Sequence, residues 1–154
     1  MNGITPFLWF DTQAEEAANL YTSLFPGSRI TDVTRYGPAG PREEGLVMTV
    51  AFELDGQKFV GLNGGPQHAF TEAVSFVVNC ETQDEVDRYW DALTADGGSE
   101  GPCGWCKDRF GLSWQIVPEA LPRLLTSPDR EKAQRVMARM MEMSKLDIAR
   151  LEAA

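Results

Sequence analysis

Two short apolar runs, Ile4 to Phe10 and Ala73 to Cys80, are each followed by apolar residues at helical spacing. After the first run, Ala14, Ala17, Ala18, Tyr21, Leu24 and Phe25 share one face of a helix that Pro26-Gly27 ends. After the second, Val86, Tyr89, Trp90 and Leu93 keep the same spacing before Asp96-Gly97-Gly98. Each predicted helix opens on the same signal, Thr12-Gln13-Ala14-Glu15 and Thr82-Gln83-Asp84-Glu85. Both fit a capping box, in which the Thr hydroxyl accepts a backbone N–H of the first turn and the Glu reaches back to the cap.

The apolar runs themselves are rich in aromatic and β-branched residues and predict strands. Further strands are predicted over Arg29–Tyr36, Leu46–Leu54 and Lys58–Asn63 in the first half, the last two joined by Asp55-Gly56, a strong hairpin signal. In the second half they fall near Gly101–Trp105, Cys106–Arg109 and Leu112–Val117, with Phe110-Gly111 as a turn. The pattern is βαβββ, used twice, and it predicts an α+β fold. Gly37-Pro38-Ala39-Gly40-Pro41 reads as a mobile loop, and residues 64–70 carry the chain between the repeats. Beyond Pro118 the spacing turns helical. Ser127-Pro128 predicts one helix start, with Val136, Met137, Met140 and Met141 as a core or subunit-contact stripe. Ser144-x-x-Asp147 predicts a last short helix carrying Ile148 and Leu151.

The 154 residues suit one domain: repeat 1 over about 3–66, repeat 2 over about 70–118, and a helical tail over 119–154. No apolar run is long enough to cross a membrane, and MNGITPFLWFD has no export signal, so a cytoplasmic protein is expected. A net charge of −9 repels phosphate backbones and anionic lipid, which removes nucleic acid and membranes as expected partners. Three cysteines make no disulfide framework.

The stretches ITPFLWFDTQAEEAANLYTSLFPGSRI, LNGGPQHAFTEAVSFVVNC, VDRYW and CGWCKDRFGLSWQIVP resemble the PhnB-like branch of the vicinal oxygen chelate superfamily. The resemblance extends over about residues 3–153. That superfamily includes glyoxalase I, extradiol dioxygenases and bleomycin- and fosfomycin-resistance proteins. The branch is often labelled 3-demethylubiquinone-9 3-methyltransferase-like, yet the chain has no glycine-rich strand-to-helix turn of the kind a nucleotide-bearing cofactor needs, and methyltransferase activity is not expected. The resemblance implies a cleft built from both repeats and a homodimer.

In metal-using relatives the cleft carries His, His and Glu where this chain has Thr5, Ser75 and Gln115; the fourth ligand position falls at Leu62 or Asn63. Neutral hydroxyls and amides are poor ligands for a divalent ion, so no tightly held metal and no other cofactor is expected. Gln115 can serve as one ligand among better ones, which leaves a weakly bound divalent metal open. Strand alternation then sets Phe7 and Trp9 beside Thr5, Val77 and Asn79 beside Ser75, and Ser113 and Val117 beside Gln115, with Leu8, Phe10, Phe76, Val78, Trp114 and Ile116 under the helices. Phe7 and Trp9 either line the cleft or fill it as core.

His68, the only histidine, lies on the Gly-Gly-Pro loop with no partner evident from sequence. Asp108 precedes a Gly turn, where a carboxylate commonly accepts local N–H groups, but it also matches the family motif and stays a site candidate, as does Trp105. The candidate cleft is therefore Thr5, Phe7, Trp9, Asn63, His68, Ser75, Val77, Trp105, Asp108, Ser113 and Gln115. It predicts a small-molecule-binding protein with an aromatic cleft and a degenerate metal site. The alternatives are a superfamily isomerase, lyase or dioxygenase with an atypical metal site, and a thiol oxidoreductase using Cys103-Gly104-Trp105-Cys106.

Overall fold

Period-two alternation becomes β-structure in both halves of the chain. The computed structural model describes residues 1–154 and divides into two compact units, residues 1–70 and 71–154. The first holds β1 (Phe7–Phe10), α1 (Ala14–Leu24), β2 (Arg29–Arg35), β3 (Val47–Leu54) and β4 (Gln57–Asn63), in sheet order β1-β4-β3-β2. The second holds β5 (Ser75–Cys80), α2 (Gln83–Thr94), β6 (Ser99–Glu100), β7 (Trp105–Lys107) and β8 (Ser113–Pro118), in order β5-β8-β7-β6. In each sheet the outer first strand runs parallel to the last, and the other pairs are antiparallel. The two units share one topology, so the fold is the duplicated α+β arrangement. Three helices follow, α3 (Ala120–Leu125), α4 (Arg130–Met141) and α5 (Ile148–Glu152).

One face of each sheet is dry. In the first unit Leu8, Phe10, Val50, Phe52 and Phe59 are buried on the side that takes Ala14, Ala17, Ala18, Tyr21 and Leu24 of α1. Phe52 stacks on Phe59 at 5.4 Å and meets Tyr21 at 6.1 Å. Each such side chain stabilises the unit by about 1.5–3 kcal/mol through burial alone. Gly61 lets α1 come this close, since a Cβ there would lie 3.1 Å from that of Ala14. In the second unit Trp114, Ile116, Cys80 and Cys106 meet Val86, Tyr89, Trp90 and Leu93 of α2 in the same way. The β3–β4 hairpin turns at Asp55-Gly56, both with positive φ, as that dipeptide predicts.

The two identical capping signals behave differently. Thr82 caps α2 as expected: its hydroxyl accepts from Glu85 N at 3.2 Å, while Glu85 reaches back to Glu81 N at 2.8 Å. Thr12 caps nothing, because α1 starts at Ala14 and Ala14 N donates to Asn63 Oδ1 at 2.9 Å. The register supplies the reason. Asn63 stands opposite Phe10 at the end of β4, and the matching place opposite Cys80 is Pro118, which has no side-chain acceptor. Where the sheet provides the cap, the helix does not.

Three other expectations change. Residues 101–104, expected as strand, form a turn: Trp105 N donates to Pro102 O at 3.0 Å across Cys103 and Gly104, both with positive φ. Asp129, not Ser127, caps α4 through Lys132 N, and Asp147, not Ser144, caps α5 through Arg150 N. In each case an aspartate two or three residues later, itself a strong N-cap residue, takes the place of the serine. The tail buries Leu121, Val136, Met143, Leu146 and Leu151 in a core of its own within the second unit, joined by Met140. Met137 and Met141, of the stripe expected as core or subunit contact, are exposed within the chain.

The unequal caps give a direct expectation for chemical denaturation. Thr82→Ala should cost about 1 kcal/mol, Thr12→Ala close to nothing, and Asn63→Ala roughly 2–3 kcal/mol, because it orphans the buried groups around it. Urea midpoints at unchanged slope measure all three; equal costs for the two threonines would contradict the cap assignment.

Candidate functional site

The face of each sheet opposite its helix is where the candidate side chains are tested. In the first unit, β1 turns Phe7 and Trp9 away from α1 while Leu8 and Phe10 lie beneath it, as alternation requires. Cross-strand partners extend this face: Trp9 lies opposite Leu62, and Leu62 opposite Thr49. Leu62, not Asn63, is therefore the β4 residue on the open face. Asn63 is a correction to the candidate cleft: it is 1% exposed, holds α1 through Oδ1, and donates Nδ2 to Val47 O at 3.0 Å. Its carbonyl accepts from the Tyr36 hydroxyl at 2.7 Å. Thr5 is also displaced, since it lies exposed ahead of β1 instead of within it.

Trp9 is fixed in place. Its Nε1 donates to Gly65 O at 2.8 Å, and a Cβ at Gly64 would lie 2.3 Å from its ring, a clash that only glycine avoids. Gly65 has φ +114°, a conformation open to glycine. The Gly-Gly pair is thus the seat of the indole. His68 is exposed and sets its imidazole edge-on to Trp9, with centroids 4.8 Å apart. Phe7 is 63% exposed, so it is not core within its own unit. Arg42, which the sequence did not single out, ends the Gly37–Pro41 loop by donating to Asp11 O and to Asn63 O.

The second unit brings five candidates onto one face. Ser75, Val77, Trp105, Ser113 and Gln115 are aligned by the register: Ser75 opposite Ser113, and Val77 and Trp105 on either side of Gln115. Gln115 Nε2 donates to Ser75 Oγ at 2.9 Å, so the two polar residues satisfy each other. Val77 remains 49% exposed. Lys107 shares the face, opposite Ser113, and forms an ion pair with Glu72 that holds the Glu72 carboxyl below its usual range. A groove of about 480 Å³ is bordered by Glu72, Ser99, Pro102, Trp105, Lys107 and Ser113. Lys107 and Glu72 escaped the sequence reading; the period-two step from Trp105 to Lys107 was the available signal for the first, and nothing local marks the second.

Asp108 leaves the site. It is buried, and its carboxylate accepts from Phe110 N at 2.9 Å, Leu112 N at 3.1 Å and Trp114 Nε1 at 2.9 Å. This is turn chemistry extended to a buried indole, and it aims the carboxylate into the protein.

The donor set does not fit a catalytic divalent metal. Nowhere do three His, Cys, Asp or Glu side chains converge to hold one. At the positions where the superfamily's ligands are expected, the second unit offers an amide already bonded to a hydroxyl, and the first an exposed threonine and a leucine.

The two cysteines of Cys103-Gly104-Trp105-Cys106 lie in different surroundings. Cys106 is buried beside α2, and burial, reinforced by Asp108 and Glu100, pushes its thiol up to about 12; Cys80 is likewise raised to about 12 by burial. A redox dithiol needs a lowered pKa, so this geometry opposes that chemistry. Cys103 sits in the turn at φ +58°, its Sγ 3.6 Å from Met141 Sδ. With a disulfide-exchange reagent at pH 8, Cys103 should react rapidly and Cys80 and Cys106 only on unfolding. The raised pKa also means that the two buried thiols favour the native state below about pH 8.5 and withdraw that contribution as pH climbs toward 12. Cys106→Ala should therefore lose less stability between pH 8 and 10.5 than the parent, as followed by thermal melts.

These features have relatives. The family model described as 3-demethylubiquinone-9 3-methyltransferase matches residues 2–117, so α3, α4 and α5 lie outside it, short of the residue 153 that the resemblance in sequence implies. Among solved structures, the PhnB protein from Bacillus cereus is 38% identical, covering 76% of this chain and 99% of that one with a TM-score of 0.68. Protein PA1353 from Pseudomonas aeruginosa is 21% identical over 77% of this chain and 98% of that one, TM-score 0.63. A glyoxalase/bleomycin resistance protein from Albidiferax ferrireducens T118 shares the fold at 12% identity, with coverage of 77% and 99% and a TM-score of 0.50. A comparison with curated proteins gives no match. With its duplicated topology and a family match over most of its length, the chain belongs to the PhnB-like, 3-demethylubiquinone-9 3-methyltransferase family of the vicinal oxygen chelate superfamily.

Proposed function

We propose that this protein binds and sequesters a small, flat, largely apolar molecule and holds no tight catalytic metal. The observation that carries this reading is the hydrogen-bonded Gln115–Ser75 pair, flanked by half-exposed Val77 and by Trp105, on a sheet face that its own helix leaves open. Aromatic and aliphatic surface with a few neutral hydrogen-bonding groups suits a ligand of that kind. The pinned Trp9 and exposed Phe7 of the first unit offer the same chemistry. The methyltransferase in the family's description finds no support in the residues, because no glycine-rich phosphate-binding turn opens either α1 or α2. A homodimer, which would cover exposed Phe7 and Val77, and a reducing cytoplasm, which suits three free thiols, belong to the same proposal. No helix is long and apolar enough to cross a membrane.

Elemental analysis of purified, untagged protein should find no stoichiometric transition metal, and EDTA should leave the melting temperature within about 1 °C. An aromatic ligand present at about 100 times its Kd should raise that temperature by roughly 5–10 °C, from about 2.7 kcal/mol of linkage. One transition metal per chain, removed by EDTA with a large drop in melting temperature, would favour the superfamily-enzyme alternative instead. Light scattering should give twice the chain mass of 17.1 kDa.

A further inference from the structure

The groove of the second unit contains a polar atom with nothing to bind. Ser113 is 1% exposed, lines the groove, and its Oγ is the one buried side-chain nitrogen or oxygen without a hydrogen-bond partner. Leaving a hydroxyl desolvated and unpaired costs on the order of 1–3 kcal/mol, and native structures rarely retain such a group without use. Directly across the β7–β8 ladder stands Lys107 on the same face. Ser113 and Lys107 are thus cross-strand neighbours that both border the groove. Trp105, two residues before Lys107 on β7, points to the same side, and Pro102 adds a second apolar wall.

Charge narrows the choice of ligand. Lys107 is already paired with Glu72, which also lines the groove, so its ammonium is not free to receive an anion. Glu100, opposite Cys106, turns its carboxylate to the helix side of the sheet, where Trp90 Nε1 donates to its Oε1 at 2.7 Å. An anionic ligand would have to displace Glu72 from Lys107, within a chain of net charge −9. A neutral acceptor meets no such opposition and completes the orphaned hydroxyl.

We propose that this groove is a subsite for an uncharged planar molecule whose carbonyl-type oxygen accepts from Ser113 Oγ, with Lys107 beside it and the ring lying against Trp105. The inference rests on the small-molecule-binding reading above and adds the ligand class and the residues that select it. A groove of about 480 Å³ is large enough for a two-ring compound.

The test is calorimetric titration of the full chain with 2-naphthamide and with 2-naphthoate, for the parent and for Ser113→Ala, with melting temperatures recorded for both proteins. The amide should bind the parent at least about tenfold more tightly than the carboxylate. Ser113→Ala should weaken amide binding about tenfold, the loss of one hydrogen bond, while the melting temperature of the free variant stays level or rises, because the unpaired hydroxyl is gone. That opposition of stability and affinity separates a ligand contact from a structural role. If both compounds bind the parent but equally well, or Ser113→Ala changes amide affinity less than twofold, the subsite is wrong and the small-molecule reading survives. If neither binds the parent at millimolar concentration, both fall.

Discussion

A sheet covered by one helix has a dry face and an open one, and period-two alternation commits every residue of every strand to one or the other. This constraint organises both units. Once Leu8, Phe10, Trp114 and Ile116 are drawn under α1 and α2, their neighbours Phe7, Trp9, Ser113 and Gln115 have no freedom to join the core. The open faces therefore follow from burial on the other side, and their chemistry is whatever the alternate positions carry. Here they carry aromatic rings, valine, hydroxyls and an amide.

Alternation is also why so much was legible. Counting by twos from Thr5, Ser75 and Gln115, the positions that the resemblance implies for the cleft, sets Phe7, Trp9, Val77 and Ser113 on the faces turned from the helices, and Asp55-Gly56 announces its own turn. What could not be read depends on partners remote in sequence. Asn63 looks like an open-face residue until the register shows it facing Ala14, and Asp108 looks available until Trp114 is seen to donate to it. Both are polar residues whose side chains complete a buried backbone or indole, and a one-residue shift in assumed register is enough to mistake such a group for a ligand contact. The groove escaped notice for the same reason: Glu72 precedes β5 and meets Lys107 only because β7 lies in the same sheet.

The duplicated units have diverged most where one copy's sheet supplies something the other copy's helix must provide. Asn63 and Pro118 occupy matching ends of β4 and β8, and the fate of the threonine twelve or so residues into each repeat follows from that single difference. The duplication preserved topology and alternation while leaving helix ends to be satisfied locally, an economy open to any fold whose capping donors can be reached from two sides.

The turn at Cys103-Gly104 carries a consequence for the whole C-terminal tail. Its two amides donate at 2.8 Å to Met143 O and Ser144 O, and Gly104 O in turn accepts from Ile116 N at 2.8 Å, so the segment after α4 is stitched through one turn to β8. A side chain at Gly104 would meet Leu146 at 2.9 Å. The tail, which lies beyond the family's shared length, is therefore not a removable extension: a chain cut after Pro118 would bare two backbone donors together with the apolar patch left by Leu146. The turn within Cys103-Gly104-Trp105-Cys106 is thus the socket that holds the helical tail against β8.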